Sequence, residues 1–244
     1  MKTIGIIPAR YRSSRFPGKP LADICGKSMI HRVYEAAKSA SLLDEVFVAT
    51  DDERIAKEVG SFGGNAVLTS QEHLSGTSRI AEAVARLDAD IIINIQGDEP
   101  FIDGMMIDEL TDVMKSNNDV YMATMCSRLM EPSTFTDENV VKVVSDIFGY
   151  ALYFSRSVIP FPRNAENLKI YEHLGVYGYT RNFLEKYTAL KETPLCIAES
   201  LEQLKVLEHG YRIFVVETKH GHNTFGINTP GDLEKARGRI KGDW

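Results

Sequence analysis

Apolar residues along this chain alternate between two spacings. Compact runs predict buried strands at Ile4–Ile7, Glu45–Thr50, Ala66–Leu68 and Ile91–Ile95. The last run is almost wholly β-branched, which suits a central strand covered on both faces. Between the runs, apolar positions recur at intervals of three and four. Met29, Ile30, Val33, Tyr34 and Ala37 predict one helix, and Ile55, Val59 and Phe62 a second. Ile80, Ala83, Val84 and Leu87 predict a third, and Ile107, Leu110, Val113 and Met114 a fourth. Pro8 ends the first strand, Asp51-Asp52 closes the second, and Gly63-Gly64 stops the second helix. This alternation predicts an α/β fold: three layers around a mostly parallel, doubly wound sheet. Right-handed crossovers would gather the loops that follow the strands along one sheet edge, where ligands bind.

Past residue 118 the pattern changes. Val120–Cys126, Val140–Ser145, Tyr150–Phe154 and Leu174–Tyr179 are strand-like, with fewer helices between them. They predict a smaller mixed antiparallel lobe at about residues 120–200, within one domain spanning 1–244. The chain then returns to helix (Ser200–His209), strand (Ile213–Val216) and helix. Thr229-Pro230-Gly231-Asp232 opens the last helix: Thr as N-cap, Pro in the first position, an acid in the first turn.

Composition narrows the function. The 244 residues carry a net charge of −6, 43% apolar and 25% charged residues, ordinary globular values. An acidic chain makes a poor nucleic-acid binder, and no apolar run reaches the length of a membrane span. The N-terminal apolar stretch is too short for a signal peptide. Cys25, Cys126 and Cys196 are odd in number and form no metal pattern, as expected of reduced thiols in a cytoplasmic protein.

One segment departs from the acidic average. Arg10, Arg12, Arg15 and Lys19 fall in the loop after the first strand with no acid among them. A cationic loop there suits a small polyanion, although charge alone favours a solvated basic loop. Neither G-x-G-x-x-G nor G-x-x-x-x-G-K-[ST] is present, which disfavours a dinucleotide or P-loop enzyme. Gln96-Gly97-Asp98-Glu99-Pro100 follows the Ile91–Ile95 strand. Asp98 would project into the ligand crevice as a Mg²⁺ ligand, or else be an unpartnered turn acid. His220-Gly221-His222 lacks a third metal ligand nearby, and Asp51-Asp52-Glu53 reads as a helix cap.

Three segments then carry a resemblance. Ala9-Arg10-x-x-Ser13-x-Arg15-x-Pro17-Gly18-Lys19-Pro20, Ser75-Gly76-Thr77-x-Arg79 and Gln96-Gly97-Asp98-Glu99-Pro100 resemble the CMP-Kdo synthetase (3-deoxy-manno-octulosonate cytidylyltransferase) family. Ala151–Arg156, His173–Tyr177 and Leu201–Leu204 match it as well, so the likeness covers nearly the whole chain in order. The resemblance implies a nucleotidyltransferase, GT-A-like fold and CMP transfer from CTP to the anomeric hydroxyl of a 3-deoxy-2-keto sugar acid, with pyrophosphate leaving. It further implies Mg²⁺, a cytoplasmic homodimer with the antiparallel extension as interface, and a place in lipopolysaccharide biosynthesis. Lys19, Asp98 and Arg15 would be catalytic. Ala9, Arg10, Ser13, Gly18, Ser75, Gly76, Thr77 and Arg79 would bind the nucleotide. Gln96, Arg156, His173, Tyr177, Glu202 and Gln203 would line the sugar-acid pocket. Within that set, His173 and Tyr177 share one face of a predicted strand, and Arg156 could fork onto the substrate carboxylate.

Two positions depart from the family pattern. Asn228 stands where an Asp is expected to share the metal with Asp98, and Ser78 stands where the Ser-Gly-Thr-x-Arg motif usually has an acid. Asn offers Mg²⁺ a carbonyl oxygen but no charge. Tolerated drift in a working enzyme accounts for both. Two alternatives stand beside it: a divergent branch acting on amino-Kdo, another ulosonic acid or a phosphonate, and a non-catalytic nucleotide-binding relative.

Overall fold

The computed structural model describes residues 1–12, 16–164, 166, 168–221 and 225–242. Ser13, Arg15 and His222 therefore lie outside the described residues.

The first half alternates strand and helix: β1 (Thr3–Ala9), the short ribbon β2 (Asp23–Ile24) and β3 (Lys27–Ser28), then α1 (Met29–Lys38), β4 (Glu45–Thr50) and α2 (Glu53–Ser61). It continues with β5 (Asn65–Leu68), α3 (Gly76–Val84), β6 (Ile91–Asn94) and α4 (Gly104–Ser116). β4 and β6 flank β1 in parallel, and β5 adds outside β4. The apolar runs are continuous because both faces are covered. Ile4 and Ile6 pack to one side of the sheet and Ile7 to the other; Ile92 opposes Ile91 and Ile93 in the same way. The helices α1, α2 and α4 cover one face, and α3 covers the other.

The second half holds β7 (Met122–Arg128), α5 (Pro132–Phe135), β8 (Lys142–Ser145), β9 (Ala151–Ser155) and β10 (Tyr171–Thr180). It ends with α6 (Arg181–Ala189), α7 (Pro194–Glu199), α8 (Leu204–Glu208), β11 (Phe214–Glu217) and α9 (Pro230–Lys241). These strands continue the main sheet. The order is β11-β7-β10-β6-β1-β4-β5, with β8 and β9 joined through β10, nine strands in all. β10 runs antiparallel to both β6 and β7, while β11 returns parallel to β7.

Beside the single turn of α5, two helices in this half carry no signal read above. Thr180 caps α6, accepting from the Phe183 amide, and Phe183, Leu184 and Tyr187 turn inward. Pro194 opens α7, and Ser200 ends it in the left-handed region at φ 52°. Beyond that break, the helix expected over Ser200–His209 is the shorter α8, Leu204–Glu208. Glu202 and Gln203 consequently sit in the turn between α7 and α8.

Lys142 is wholly buried, and its ammonium donates to the carbonyls of Asp137, Val140 and Arg156 at 2.6–2.9 Å. Burial lowers its pKa. Replacing it leaves three carbonyls unmatched. Lys142→Met is expected to lower unfolding stability by about 2–4 kcal/mol, measured by urea denaturation; an unchanged midpoint would refute this role.

Candidate active site

The cationic loop is held from below and behind. Gly18 takes φ 73°, its amide donates to the Tyr11 carbonyl at 2.9 Å, and the Tyr11 ring lies against its Cα. The Arg54 guanidinium covers that ring at 3.4 Å. The loop delivers Lys19, whose ammonium reaches Asp98 Oδ2 at 2.7 Å and the Ile227 carbonyl at 2.9 Å. The Asp98 turn packs directly against the end of β1. A Cβ on Gly97 would come within 2.7 Å of the Pro8 carbonyl, so only glycine fits this approach.

The C-terminal segment completes the corner. Ile227 N–H donates to the Asp98 carbonyl at 2.9 Å. Asp232, in the capping box of α9, accepts from the amides of Asn228 and Thr229. Asn228 thereby faces the same space as Asp98, Arg10 and Lys19. That space is a cavity of 290 Å³, also bounded by Ala9, Ser75, Gly76, Arg79, Gln96 and Glu202.

Its far wall is the start of α3. Ser75 caps the helix and accepts from the Ser78 amide, while Ser78 Oγ donates to the Ser75 carbonyl. Arg79 is 3% exposed and fastens the preceding loop, donating to Thr69 Oγ1, the Ser70 carbonyl and Asp51 Oδ2. Asp51 thus balances the buried guanidinium, although the adjacent position is Ser78. The expected capping acid divides its roles: Asp52 caps α2, and Asp51 serves Arg79. Thr77, one residue from Gly76, is buried and turns inward toward the Tyr179 oxygen.

A second cavity of 230 Å³ adjoins the first and shares Gly76, Gln96 and Glu202 with it. Thr77, Tyr177 and Gln203 line it, with Asn94, Tyr187 and Ser200, which the sequence reading did not single out. Its back wall is made by a bulge. Between Leu174 and Tyr177, β10 carries two more residues than β7 opposite. Thr124, fully buried, fills the gap: its hydroxyl lies 2.8 Å from the Val176 carbonyl, 3.2 Å from that of Leu174 and 3.0 Å from His173 Nε2. The hydroxyl donates to Val176 and accepts from His173. The displaced Gly175 carbonyl accepts from Gln96 Nε2 at 3.0 Å. The bulge also brings the rings of His173 and Tyr177 to 5.5 Å, closer than four residues of flat strand permit.

His173 bounds neither cavity. It sits behind Tyr177 with its ring edge-on to Phe154. The side chain keeps some surface, yet the surrounding protein pushes its pKa down to about 3, so it is neutral. Tyr187 donates to Glu202 Oε2 at 3.1 Å. Arg156 also lies outside both cavities: its guanidinium donates to the carbonyls of Glu199 and Glu138. His220 lies 4.0 Å from Asp103 and 3.8 Å from Glu109, away from both cavities, and no metal-binding cluster occurs among the described residues.

Comparison with known proteins fixes the lineage. A family model described as Cytidylyltransferase matches residues 4–213. A 3-deoxy-manno-octulosonate cytidylyltransferase from Geotalea uraniireducens is 52% identical over 252 residues, spanning 99% of this chain and 100% of the relative. One from Fusobacterium nucleatum is 50% identical over 242 residues, 99% and 98% of the two chains. This chain belongs to the 3-deoxy-manno-octulosonate cytidylyltransferase family. A solved CMP:2-keto-3-deoxy-manno-octonic acid synthetase complexed with CTP superposes over the full length of both chains, with a TM-score of 0.94 and 43% identity. A 4-diphosphocytidyl-2C-methyl-D-erythritol synthase from Anaerococcus prevotii, 14% identical with a TM-score of 0.66, shares the fold.

The cytidylyltransferase corner has the donors that Mg²⁺ accepts. Asp98 supplies one carboxylate and Asn228 one amide carbonyl, both beside cationic side chains suited to phosphate. Glu99, next in sequence, points the other way. Its Oε2 is buried and unpartnered, and burial, together with the charges of Asp98 and Glu172, pushes its pKa up to about 8. The corner therefore presents one carboxylate charge at neutral pH, not two.

The bulge depends on one hydroxyl. Thr124→Val keeps the volume and removes the hydrogen bonds, and is expected to lose about 1–3 kcal/mol of unfolding stability. Thr124→Ser should restore most of it in the same urea titration. Equal stability of all three forms would show that the bulge holds itself.

Proposed function

We propose that this cytidylyltransferase moves CMP from CTP to the anomeric hydroxyl of 3-deoxy-manno-octulosonate, releasing pyrophosphate. The hydroxyl oxygen bonds to the α-phosphorus as the bond from the α-phosphorus to the bridging β-phosphate oxygen breaks; pyrophosphate leaves with that oxygen, and the hydroxyl proton passes to water. The observation that carries the reading is the Lys19–Asp98 contact of 2.7 Å in the wall of a cavity that opens into a second, polar one. One cavity suits a nucleotide triphosphate and the other a hydroxylated acceptor.

The chain's own groups do what such a transfer asks: positioning and charge stabilisation, without a covalent nucleophile. Lys19 is anchored at two points, so its charge is fixed before any ligand arrives, and with Arg10 it faces the phosphates and the departing pyrophosphate. Ser75 and Gly76 present the end of α3 to the base end of the cavity, braced by Arg79 and Asp51. Gln96, tied to the β10 bulge, stands where the cavities meet, near the reacting hydroxyl. Asp98 and Asn228 would hold Mg²⁺, which when bound lowers the charge barrier to attack on the phosphate.

The reading extends to a cytoplasmic homodimer. Ile147, Phe148, Leu152 and Phe161, 62–93% exposed, give the antiparallel edge an apolar face suited to a second copy. Three free thiols suit a reducing compartment. No described helix is long and apolar enough to cross a membrane.

Pyrophosphate release tests the reading, with CTP, Mg²⁺ and a panel of Kdo, amino-Kdo, sialic acid and small phosphonates. Turnover should require CTP and be fastest with Kdo, and Lys19→Met should lower kcat/KM by about 100-fold or more. Tight CTP binding without turnover of any acceptor would favour a non-catalytic relative. Asn228→Asp adds a charge beside Asp98 and should lower the Mg²⁺ concentration for half-maximal rate by about 3–10-fold. An unaltered Mg²⁺ titration would show that position 228 does not touch the ion.

A further inference from the structure

Two polar atoms in the second cavity have no partner within the protein. Asn94, 2% exposed, closes the apolar strand β6 and forms part of the cavity wall. Its side chain lies beside the Tyr179 oxygen, while its Oδ1 is buried and unmatched. Gln203, 4% exposed, lines the same cavity, and its Nε2 is likewise buried and unmatched. Only six buried side-chain atoms among the described residues lack a partner, and two of them share this one volume. Buried polar groups are ordinarily satisfied, because a desolvated donor or acceptor left alone is costly. A lone acceptor and a lone donor on one cavity therefore define what should fill it.

Charge narrows the choice. No lysine or arginine lines this cavity, whereas Glu202 does. A carboxylate there would face Glu202, would find only neutral donors, and would leave Asn94 Oδ1 without a hydrogen to accept. An ammonium could be met by Asn94 and Glu202, but it has no lone pair to offer Gln203. A hydroxyl both donates and accepts, so unlike a carboxylate or an ammonium it can satisfy either atom. The cationic wall of Arg10 and Lys19 lies in the other cavity.

We infer that Asn94 is a specificity-determining residue: Asn94 Oδ1 accepts from, and Gln203 Nε2 donates to, hydroxyls on the acceptor's polyol chain, so Asn94 requires a donor at its position and Gln203, which an ammonium cannot match, sets the preference for a hydroxylated tail over an amine-bearing one. The inference rests on the acceptor being a sugar acid, as read above, and it orients that acceptor. The carboxylate end faces the cationic cavity, and the hydroxyl chain runs past Gln96 into the second.

The test compares wild type, Asn94→Ala and Gln203→Met on Kdo, on its monodeoxy analogues and on an analogue with a terminal amine in place of the hydroxyl. Both variants should lose about tenfold or more in kcat/KM for Kdo, with KM for CTP within about twofold of wild type. For one monodeoxy analogue, wild type and Asn94→Ala should become equal, because the partner is already missing. Wild type should favour the hydroxyl over the amine, and Gln203→Met should narrow that preference. Gln203→Met removes an unmatched donor and should leave the melting temperature unchanged or higher, which separates recognition from folding should Asn94→Ala unfold. Full retention of acceptor kcat/KM, or equal losses on every analogue, would overturn the inference. If wild type turns over no sugar acid, the transfer reading fails by itself. Calorimetric binding of Kdo in the presence of CTP then decides this point: weaker binding by both variants supports it, and equal or absent binding overturns it.

Discussion

The site depends on one ammonium group held between two others. Lys19 comes from the first loop, Asp98 from the end of the central strand, and the Ile227 carbonyl from the segment before the last helix. Three distant stretches of chain thus meet at a single nitrogen. The Lys19 side chain keeps only 17% of its surface, so the charge is partly desolvated and acts more strongly than on an open surface. A phosphate arriving there meets a cation that needs no reorganisation. The same contact draws Asn228 to the Asp98 corner, because Ile227 is clasped both through its carbonyl and through its amide.

Around that corner the protein controls how much negative charge it shows. Asp98 is compensated by Lys19, while Glu99 is turned into the interior and kept in its proton-bearing form by burial. Asn228, an amide where relatives of this family are expected to carry an acid, works in the same direction. A site meant to receive a polyanion gains from this restraint, since each extra carboxylate would repel the phosphates it must hold. Arg79 follows a related logic further out. It is a buried guanidinium matched by Asp51, a partner 28 positions away in sequence, so the loop it braces does not depend on an acid at position 78.

Much of this was legible in the chain. The apolar runs announced β1, β4 and β6 because a strand covered on both faces admits few polar residues, and the two polar motifs fell at their carboxyl ends. The antiparallel strands were visible as strands, yet not their place in the main sheet, because insertion of β10 between β6 and β7 is decided by long-range pairing. The helices α6 and α7 were missed: one is anchored by a Thr cap, and the other is ended by a left-handed Ser200 with no glycine to mark it. The second cavity was only half legible. Tyr177 and Gln203 came with a motif, but Asn94 reads as an interruption of an isoleucine run and Tyr187 as part of an unread helix. Thr124, which shapes the bulge behind them, carries no local signal at all. Arg156 shows the opposite limit: an attractive residue type in a recognised motif, whose guanidinium is engaged with backbone carbonyls.

The cap on the last helix has a consequence for timing. Asp232 holds the amides of Asn228 and Thr229, so the peptide that faces Asp98 is shaped by a helix starting at Pro230. During synthesis the cationic loop leaves the ribosome more than 200 residues before that helix. The nascent domain can assemble most of its sheet while the corner is still open, and competence to handle a triphosphate arrives only when the final turns dock.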